Sequence, residues 1–513
     1  MATLSGRRDS VEQPPLDIPF RPHPHVYAIH TWVWLGELSK KYDRPIRLGD
    51  VPDQEWDDLE AKGFDGVWLM GIWQRSQASR SIAAADPQLR QEYDRTLPDW
   101  EPSDVVGSPY AIRAYQPDSW LATWKDLDGV LAKLHHRGMK LILDFVPNHT
   151  ALDHEWVNSH PDYYIQGTAK DYEISPSTFF PIHFQQQTRY LAHGKDPYFP
   201  AWTDTVQLNY FNEATRSALL QELQKIAQHC DGVRCDMAML VLNKVFRNTW
   251  APFVGEDTQP EREFWTQAIN LLPGFMWIGE VYWDLEWELQ QLGFQYTYDK
   301  RLYDRLRHSP PQDIALHLTA DVAYQNRLVR FLENHDEPRS AETFGKDRLP
   351  AFATLVGTLP GMRLYYHGQL EGKRIRLPVQ LGRRNDEPID HDILAMYECL
   401  LQIAHEDVFH IGEWRRLSMQ TAGSATFKNF IAYQWQSRSA WKIVIVNVSS
   451  EISQGRLTLS EVLTFTFSHH YAYMFRDQFT GQTYTYNYDT LTQQGLPIAL
   501  NPFAAHVFAV SPQ

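Results

Sequence analysis

Eight short apolar runs alternate with longer stretches of helical periodicity between residues 26 and 368. In the stretch 123–138, Leu and Val recur every three or four positions, Thr123 and Asp126 have the spacing of a capping box, and Gly138 follows as a stop signal. Strands that alternate with helices in this way are typical of a parallel sheet, and eight such units close a (β/α)8 TIM barrel. The eight predicted strands are VYAIHTWVW, GFDGVWLM, MKLILDF, DGVRCDM, FMWIGEV, GFQYTYD, NRLVRFLEN and MRLYYHG.

Two regions break this alternation. Residues 150–204 follow the third run and are too long for a simple loop, which predicts a small inserted domain. Over 412–513 the apolar runs become short and end in turn residues, which predicts an antiparallel β-sandwich. The predicted fold class is therefore α/β, with the barrel over 21–149 and 205–411, and with an N-terminal leader over 1–20.

Composition and charge narrow the classes of function. The chain has 513 residues, of which 43% are hydrophobic and 22% charged, as in ordinary globular proteins. A formal net charge of −15 argues against a nucleic-acid partner, which requires clustered Lys and Arg. The chain has no apolar stretch of about 18 residues and no basic amphipathic run, so the sequence predicts no membrane partner. The leader lacks the apolar region of a secretory signal and the three cysteines are an odd number, so we predict a cytoplasmic protein.

Three acidic residues each follow an apolar run: Asp236, Glu280 and Asp336. A buried carboxylate without a partner is costly, so three of them at predicted strand ends are better interpreted as a catalytic cluster than as core residues. Arg234 precedes Asp236 by two positions, and on a strand the two side chains point to the same face.

The surrounding motifs resemble those of the alpha-amylase family of retaining alpha-glycoside hydrolases and transglycosylases. Four motifs occur in the order of that family, and a weaker fifth, DTVQLNYFN at 204–212, lies between the first two. The resemblance spans nearly the whole chain. The four motifs are DFVPNH at 144–149, GVRCD at 232–236, GE at 279–280 and NHD at 334–336.

The resemblance implies a double displacement through a covalent glycosyl-enzyme. Asp236 would be the nucleophile, kept ionised and oriented by Arg234. Glu280, in an apolar and aromatic setting, would be the general acid and then the general base. Asp336 would contact sugar hydroxyls and stabilise the developing positive charge. The implied partner is an alpha-glucan or a maltooligosaccharide.

Further residues are implied to bind substrate or support the site. We expect Asp144 to pair with Arg234 and brace it. No cofactor is required; Asn148 is the position at which the family often binds calcium, but one Asn cannot supply the six to eight oxygens that calcium needs, and a structural role is the alternative. The substrate-binding candidates are Arg234, His149, His335, Tyr110, which would stack on the sugar, and Trp283.

The chain departs from the family pattern at three positions. Met239 and Leu240 stand where many amylases have a Lys and a His on the leaving side, which leaves hydrolysis and transfer to a sugar acceptor both open. Gly107 replaces an Asp that grips a terminal glucose in exo-acting relatives, which favours internal cleavage. We therefore predict an alpha-glucan hydrolase of the alpha-amylase type that cleaves alpha-1,4-glucosidic bonds; the alternatives are a glucanotransferase or maltosyltransferase and a catalytically silent binding protein. Chain-length and linkage preference, oligomeric state and glucan binding by the C-terminal domain stay open.

Overall fold

The computed structural model describes residues 20–255, 258–459 and 471–513. Residues 1–19 of the predicted leader lie outside the described residues. Eight parallel strands form a closed barrel in which each strand pairs with the next along the chain and the eighth pairs with the first. These barrel strands, numbered one to eight, are His25–His30, Gly66–Met70, Lys140–Phe145, Gly232–Cys235, Met276–Gly279, Tyr296–Tyr298, Leu328–Arg330 and Met362–Tyr366.

The predicted (β/α)8 barrel is thus confirmed, with each predicted strand in its expected place. The first strand is shorter than predicted, because its last four residues, TWVW, belong to the helix Thr31–Lys41. His30 ends the strand and its side chain accepts a hydrogen bond from the backbone N–H of Val33, which caps that helix.

Helices surround the barrel. The predicted capping box is present, since Thr123 accepts from the N–H of Asp126 and Asp126 accepts from that of Thr123. The α-helices are Thr31–Lys41, Asp53–Ala61, Gln77–Ala85, Pro87–Thr96, Trp124–His136, Glu155–Ser159, Ala169–Ile174, Glu213–Ile226, Asn243–Trp250, Phe264–Leu271, Glu286–Leu292, Lys300–His308, Pro311–His317, Val322–Gln325, Ser340–Thr358, His391–Ala404, Val408–Ile411 and Tyr488–Gln494. Short 3-10 turns are Leu48–Asp50, Pro161–Tyr163, Ala238–Val241, Ala251–Phe253 and Ala425–Asn429.

Side-chain alternation fills the barrel. Trp68 and Met70 point into the interior, while Val67 and Leu69 on the same strand pack against the helices. Phe20 lies against Gly66, where a Cβ atom would come within 2.5 Å of its ring, so this glycine makes room for it. The interior is therefore a packed core rather than a pore.

The long connection after the third strand contains a small antiparallel sheet of Gln166–Gly167, Phe179–Phe184 and Gln187–Ala192. Its two ends are joined by a second ladder, in which His149–Ala151 pairs with Thr205–Gln207. Because of this ladder the connection leaves and re-enters the barrel at one place, beside the third and fourth strands. Another short pair, Trp73–Arg75 with Ile112–Pro117, lies in the connection after the second strand.

The C-terminal region consists of antiparallel sheets, consistent with the predicted sandwich. One sheet contains, in spatial order, Glu413–Arg416, Phe430–Gln436, Trp441–Asn447, Ala505–Pro512, Ala472–Asp477 and Thr483–Asn487; the other contains Met419–Thr421, Ser453–Leu457 and Leu496–Leu500.

This region joins the barrel through Thr358. The Thr358 carbonyl accepts from Trp435 Nε1 at 2.7 Å, and its hydroxyl lies 2.7 Å from that of Tyr433. Val444 and Val507, from the same sheet, belong to the continuous hydrophobic core that also contains the barrel helices. Within the described part of the chain, no helix has the length and apolarity needed to cross a membrane.

Candidate active site

The three acidic residues predicted from the sequence meet in one cleft at the carboxyl ends of the barrel strands. Asp236 directly follows the fourth strand, Glu280 the fifth, and Asp336 lies in the loop after the seventh. All three line a cavity of about 360 Å³. The other residues of its lining are Ser108, Tyr110, His149, Trp202, Asp204, Thr205, Met237, Tyr282 and Gln380.

Arg234 joins two of these carboxylates. Its Nη1 lies 2.8 Å from Asp236 Oδ1 and its Nη2 lies 2.7 Å from Glu280 Oε2. The guanidinium is buried and faces the rings of Trp68 and Tyr110 at 5.3 and 5.2 Å. Because the fourth and fifth strands are neighbours, one side chain can hold both carboxylates in a fixed relation.

Burial and mutual repulsion raise the pKa of Asp236 and of Glu280, which favours their protonated forms. Burial raises the pKa of Asp236 above its ordinary value, Arg234 opposes this, and Asp336 and Asp144 add to it. Burial likewise raises the pKa of Glu280, with Asp236 and Asp336 reinforcing the effect against Arg234. One guanidinium therefore faces two carboxylates, and the raised pKa of both favours the protonated form of one of them.

Glu280 is held at both oxygens. Oε2 accepts from Arg234 and also from the backbone N–H of Met237 at 2.7 Å, while Oε1 accepts from the hydroxyl of Tyr282 at 2.7 Å. Met237 has a left-handed backbone (φ 40°, ψ 47°), which is unfavourable for a residue with a side chain. This strained turn aims the Met237 N–H at Glu280.

Asp336 differs from the other two because its side chain is 45% exposed to the cleft. His335 Nε2 lies 3.0 Å from Asp336 Oδ2 and 2.6 Å from the hydroxyl of Tyr110. Burial acts to raise the pKa of Asp336, but His335, together with the charges of Arg234 and Arg376, lowers the pKa to about 2. Asp336 is thus an ionised carboxylate at the cleft surface, positioned by His335.

The predicted contact of Asp144 needs correction. Instead of pairing with Arg234, its Oδ1 accepts from Trp68 Nε1 at 3.2 Å and its Oδ2 from the N–H of Gly71 at 2.9 Å. Arg234 acts on Asp144 only through its charge, which lowers a pKa that burial raises. Asp144 therefore supports the site by anchoring the end of the second strand, and the ion pairs of Arg234 go to Asp236 and Glu280.

The side chain of Asn148 pairs with that of Gln207. Its Oδ1 accepts from Gln207 Nε2 at 3.0 Å, and its Nδ2 donates to Gln207 Oε1 at 3.2 Å. This reciprocal amide pair is buried, which supports the structural role given above as the alternative, and calcium binding by Asn148 stays a prediction. Over residues 20–255, 258–459 and 471–513, no group of three or more His, Cys, Asp or Glu side chains is arranged to hold a metal ion.

Two predicted substrate contacts lie at different depths. His149 is buried in the cleft wall, 5.2 Å from the ring of Trp202, and burial lowers its pKa to about 4, so it is a neutral hydrogen-bonding group. Trp283 lies outside the cavity lining, where it is 36% exposed and packs edge-on against Tyr198 at 4.9 Å. A sugar bound by Trp283 would therefore lie at the outer edge of the cleft.

Comparisons with known proteins identify the family of this chain. A family model described as "Alpha amylase, catalytic domain" matches residues 56–374, more than half of the chain. The chain belongs to the alpha-amylase family. Alpha-amylase MalA of Haloarcula japonica is 24% identical over 383 residues, covering 71% of this chain and 46% of MalA. Alpha-amylase 3 of Dictyoglomus thermophilum is 26% identical over 282 residues, covering 49% and 52%. The chain spans about half the length of these curated relatives.

Solved structures of this alpha-amylase family share the fold. The maltogenic alpha-amylase AmyB of Thermotoga neapolitana has a TM-score of 0.68 at 18% identity, with coverage of 95% of this chain and 98% of AmyB. The alpha-amylase of Geobacillus thermoleovorans, solved with acarbose, has a TM-score of 0.63 at 17% identity, with coverage of 96% and 99%.

The structure shows where the three departures from the alpha-amylase pattern lie. Gly107 has φ 85°, and a Cβ atom there would come within 3.0 Å of the backbone of Arg80, so an Asp would be strained. Met239 and Leu240 are buried in the 3-10 turn Ala238–Val241 and are absent from the cavity lining. Met237 lies in the lining instead.

Several residues of the lining were not predicted. Tyr282 is two residues from Glu280, and Asp204 begins the weak fifth motif, so position along the chain could have indicated both. Trp202 lies just before that motif. Gln380 has no such signal, because it comes from the long loop after the eighth strand, which only the closed barrel brings to the cleft.

Proposed function

We propose that this protein is a retaining alpha-glucan hydrolase that cleaves alpha-1,4-glucosidic bonds in starch, glycogen or maltooligosaccharides. The observation that carries the proposal is the bridge from Arg234 to Asp236 and Glu280, within 2.8 Å of each, at the floor of the cleft. Retention of configuration requires one carboxylate as nucleophile and a second, protonated carboxyl group close by. Two carboxylates on one guanidinium meet the requirement for proximity.

In the first step, Asp236 attacks the anomeric carbon while Glu280 donates its proton to the glycosidic oxygen. The shortened glucan leaves with that proton, and a covalent bond joins the remaining sugar to Asp236. Transfer of the proton leaves Glu280 ionised beside Arg234, which stabilises the charge that has formed.

In the second step, Glu280 removes a proton from water, and the resulting oxygen nucleophile displaces Asp236 from the anomeric carbon. The ionised Asp336 would accept hydrogen bonds from sugar hydroxyls and stabilise positive charge on the ring. Tyr110 would stack on the sugar, and His149 and His335 would bind its hydroxyls.

A glucanotransferase or maltosyltransferase is the second candidate, in which a sugar hydroxyl replaces water in the second step. It is favoured by Met237 and Tyr282, which line the cleft beside Glu280, and by the exposed Trp283 that follows Tyr282 in the chain. Such surfaces suit the apolar face of an acceptor sugar.

The test is to incubate the protein with maltoheptaose and with soluble starch and to follow product lengths and the anomer first released by proton NMR. Shorter products released as the alpha anomer support the hydrolase, and chains longer than the substrate support the transferase. Release of the beta anomer would exclude the retaining mechanism.

The covalent step can be tested separately with Glu280→Gln and alpha-maltosyl fluoride. Fluoride leaves without a proton, so the first step should proceed while the second stalls, and intact mass spectrometry should detect protein carrying one maltosyl group. The matched control is the double variant with Asp236→Asn, which should carry none. An adduct in the double variant would disprove the assignment of Asp236 as nucleophile.

A further inference from the structure

The two oxygens of Glu280 have chemically different partners. Oε2 accepts two hydrogen bonds from nitrogen, one from Arg234 Nη2 and one from the Met237 backbone, each at 2.7 Å. Oε1 accepts one hydrogen bond from the oxygen of Tyr282, also at 2.7 Å. The side chain of Glu280 is almost fully buried, so these partners, rather than bulk water, define its surroundings in the free enzyme.

This difference determines where a proton can reside on Glu280. A guanidinium and a backbone amide are donors only, so a proton on Oε2 would face two N–H groups with no acceptor. A hydroxyl both donates and accepts. Of the three partners, only Tyr282 can reverse its hydrogen bond when Glu280 gains or loses a proton.

We propose that Tyr282 is a positioning residue that keeps the transferable proton of Glu280 on Oε1 and stabilises the carboxylate after the proton has left. The inference rests on the proposed function, since it requires that Glu280 serve as acid and base. In the protonated form of Glu280, Oε1 donates to the Tyr282 oxygen, the reverse of the hydrogen bond that Oε1 accepts when ionised; in the reaction this proton passes to the glycosidic oxygen. Tyr282 then rotates its own proton toward the negative Oε1, and no atom is gained or lost by the tyrosine.

The backbone around Glu280 fixes this arrangement. The N–H of Ala238 donates to the carbonyl oxygen of Glu280 at 2.9 Å, next to the side-chain contact made by Met237. The turn at Met237 and Ala238 thus holds both the main chain and Oε2 of Glu280. Oε1 is left to face Tyr282, which lines the cleft where the glycosidic oxygen must lie.

The pKa of Glu280 supplies a measurable consequence. Burial raises it, Arg234 lowers it, Asp236 and Asp336 raise it, and the hydroxyl of Tyr282 lowers it. The charged or titratable groups that act on Glu280 from the surrounding strands and loops are Arg234, Asp236, Asp336, Tyr282 and Tyr298. Removing only the Tyr282 hydroxyl should therefore raise the pKa of Glu280 and keep it protonated to higher pH.

The experiment is the pH dependence of kcat/KM for maltoheptaose in wild type and in Tyr282→Phe. Because the free enzyme must carry the Glu280 proton, activity falls on the basic side as Glu280 ionises. In Tyr282→Phe this basic limb should move to higher pH. The ratio of variant to wild-type kcat/KM should rise up to about tenfold from the plateau into the basic limb.

A second measurement separates positioning from general damage. With alpha-maltosyl fluoride the first step requires no proton, so the rate of fluoride release in a single turnover should change less than about twofold in Tyr282→Phe. The same step with maltoheptaose should slow by about tenfold at the wild-type pH optimum. Equal losses with both substrates would show a merely structural tyrosine and would overturn the proposal.

The matched control is Tyr365→Phe. Tyr365 is a buried tyrosine on the eighth barrel strand whose hydroxyl has no hydrogen-bond partner in the described part of the chain. This variant should leave the pH profile unchanged. If wild type hydrolyses maltoheptaose and the basic limb of Tyr282→Phe stays in place, the role of Tyr282 is disproved. If wild type has no activity on any alpha-glucan, the proposed function itself fails.

Discussion

Two arginines buried in the barrel wall, Arg234 and Arg330, have opposite electrostatic surroundings. Arg330, on the seventh strand, forms an ion pair with Asp299, whose second partner is His317 Nε2 at 2.9 Å. Arg234, on the fourth strand, forms ion pairs with both Asp236 and Glu280. In the Arg330 cluster, one carboxylate is shared by Arg330 and His317. In the Arg234 cluster, one guanidinium is shared by two carboxylates.

The pKa values of the carboxylates follow this difference. Burial acts to raise the pKa of Asp299, but His317 and Arg330 outweigh it and lower the pKa to about 2. Around Arg234, burial and neighbouring carboxylates raise the pKa of both Asp236 and Glu280. The same residue types thus give a permanently ionised pair at Arg330 and protonatable carboxyl groups at Arg234. The second arrangement costs stability and is what acid–base chemistry requires.

The largest expected effect is the loss of activity in Asp236→Asn. The amide keeps the size of the side chain but cannot form the covalent bond, so hydrolysis of maltoheptaose should fall about 10³-fold or more. Initial rates of reducing-end release provide the measurement. The control is Asp299→Asn, assayed below its unfolding temperature, which should retain kcat within about threefold. Near wild-type rates in Asp236→Asn would contradict the different roles of the two clusters.

The next largest effect is the destabilisation of Asp299→Asn. Removing one partner leaves Arg330 buried without its carboxylate, which should cost about 3 to 5 kcal/mol in the free energy of unfolding and lower the Tm by calorimetry. The folded pKa of Asp299 lies below its unfolded value of about 3.9, so its contribution is present at neutral pH and is lost as pH falls toward 2. An unchanged Tm at pH 7 would show that the pair contributes nothing.

Glu280→Gln should raise the Tm, by less than Asp299→Asn lowers it. Its raised folded pKa means that ionisation of Glu280 opposes folding, and this cost appears as pH rises above the unfolded value of about 4.3. The neutral variant should therefore raise the Tm by about 1 to 3 °C at pH 7. Near pH 3, where Glu280 is protonated in both states, the two proteins should unfold together. A lower Tm at pH 7 would argue that the contacts of Glu280 outweigh its repulsion.

The smallest effect is expected outside both clusters, at Trp283. Loss of its ring in Trp283→Ala should weaken binding of long chains by about 1 kcal/mol, which is about fivefold in KM for maltoheptaose, with kcat nearly unchanged. The matched control is Trp287→Ala, another exposed tryptophan, which packs on Tyr324 and is absent from the cavity lining. Equal effects of the two substitutions would remove Trp283 from the binding site.

The sequence predicted the eight strands and the meeting of the carboxylates because both depend on local pattern. Apolar runs mark buried parallel strands, and residues at their carboxyl ends converge once the barrel closes. The ion pairs were harder to predict. Asp144 and Arg234 are direct neighbours in the strand register, yet Asp144 turns to Trp68 and Gly71 on its other side. Which neighbour a side chain contacts depends on the filling of the barrel interior, which strand periodicity does not encode.

The contacts of Thr358 with Tyr433 and Trp435 limit how this chain can be divided. Since the C-terminal sheet and the barrel helices share one apolar core, ending the chain near residue 411 would open that core to water. In the intact chain, the barrel and the C-terminal sheet should therefore unfold in a single cooperative transition. Gene fusions or truncations that treat the C-terminal sheet as a detachable module would be expected to yield aggregating protein.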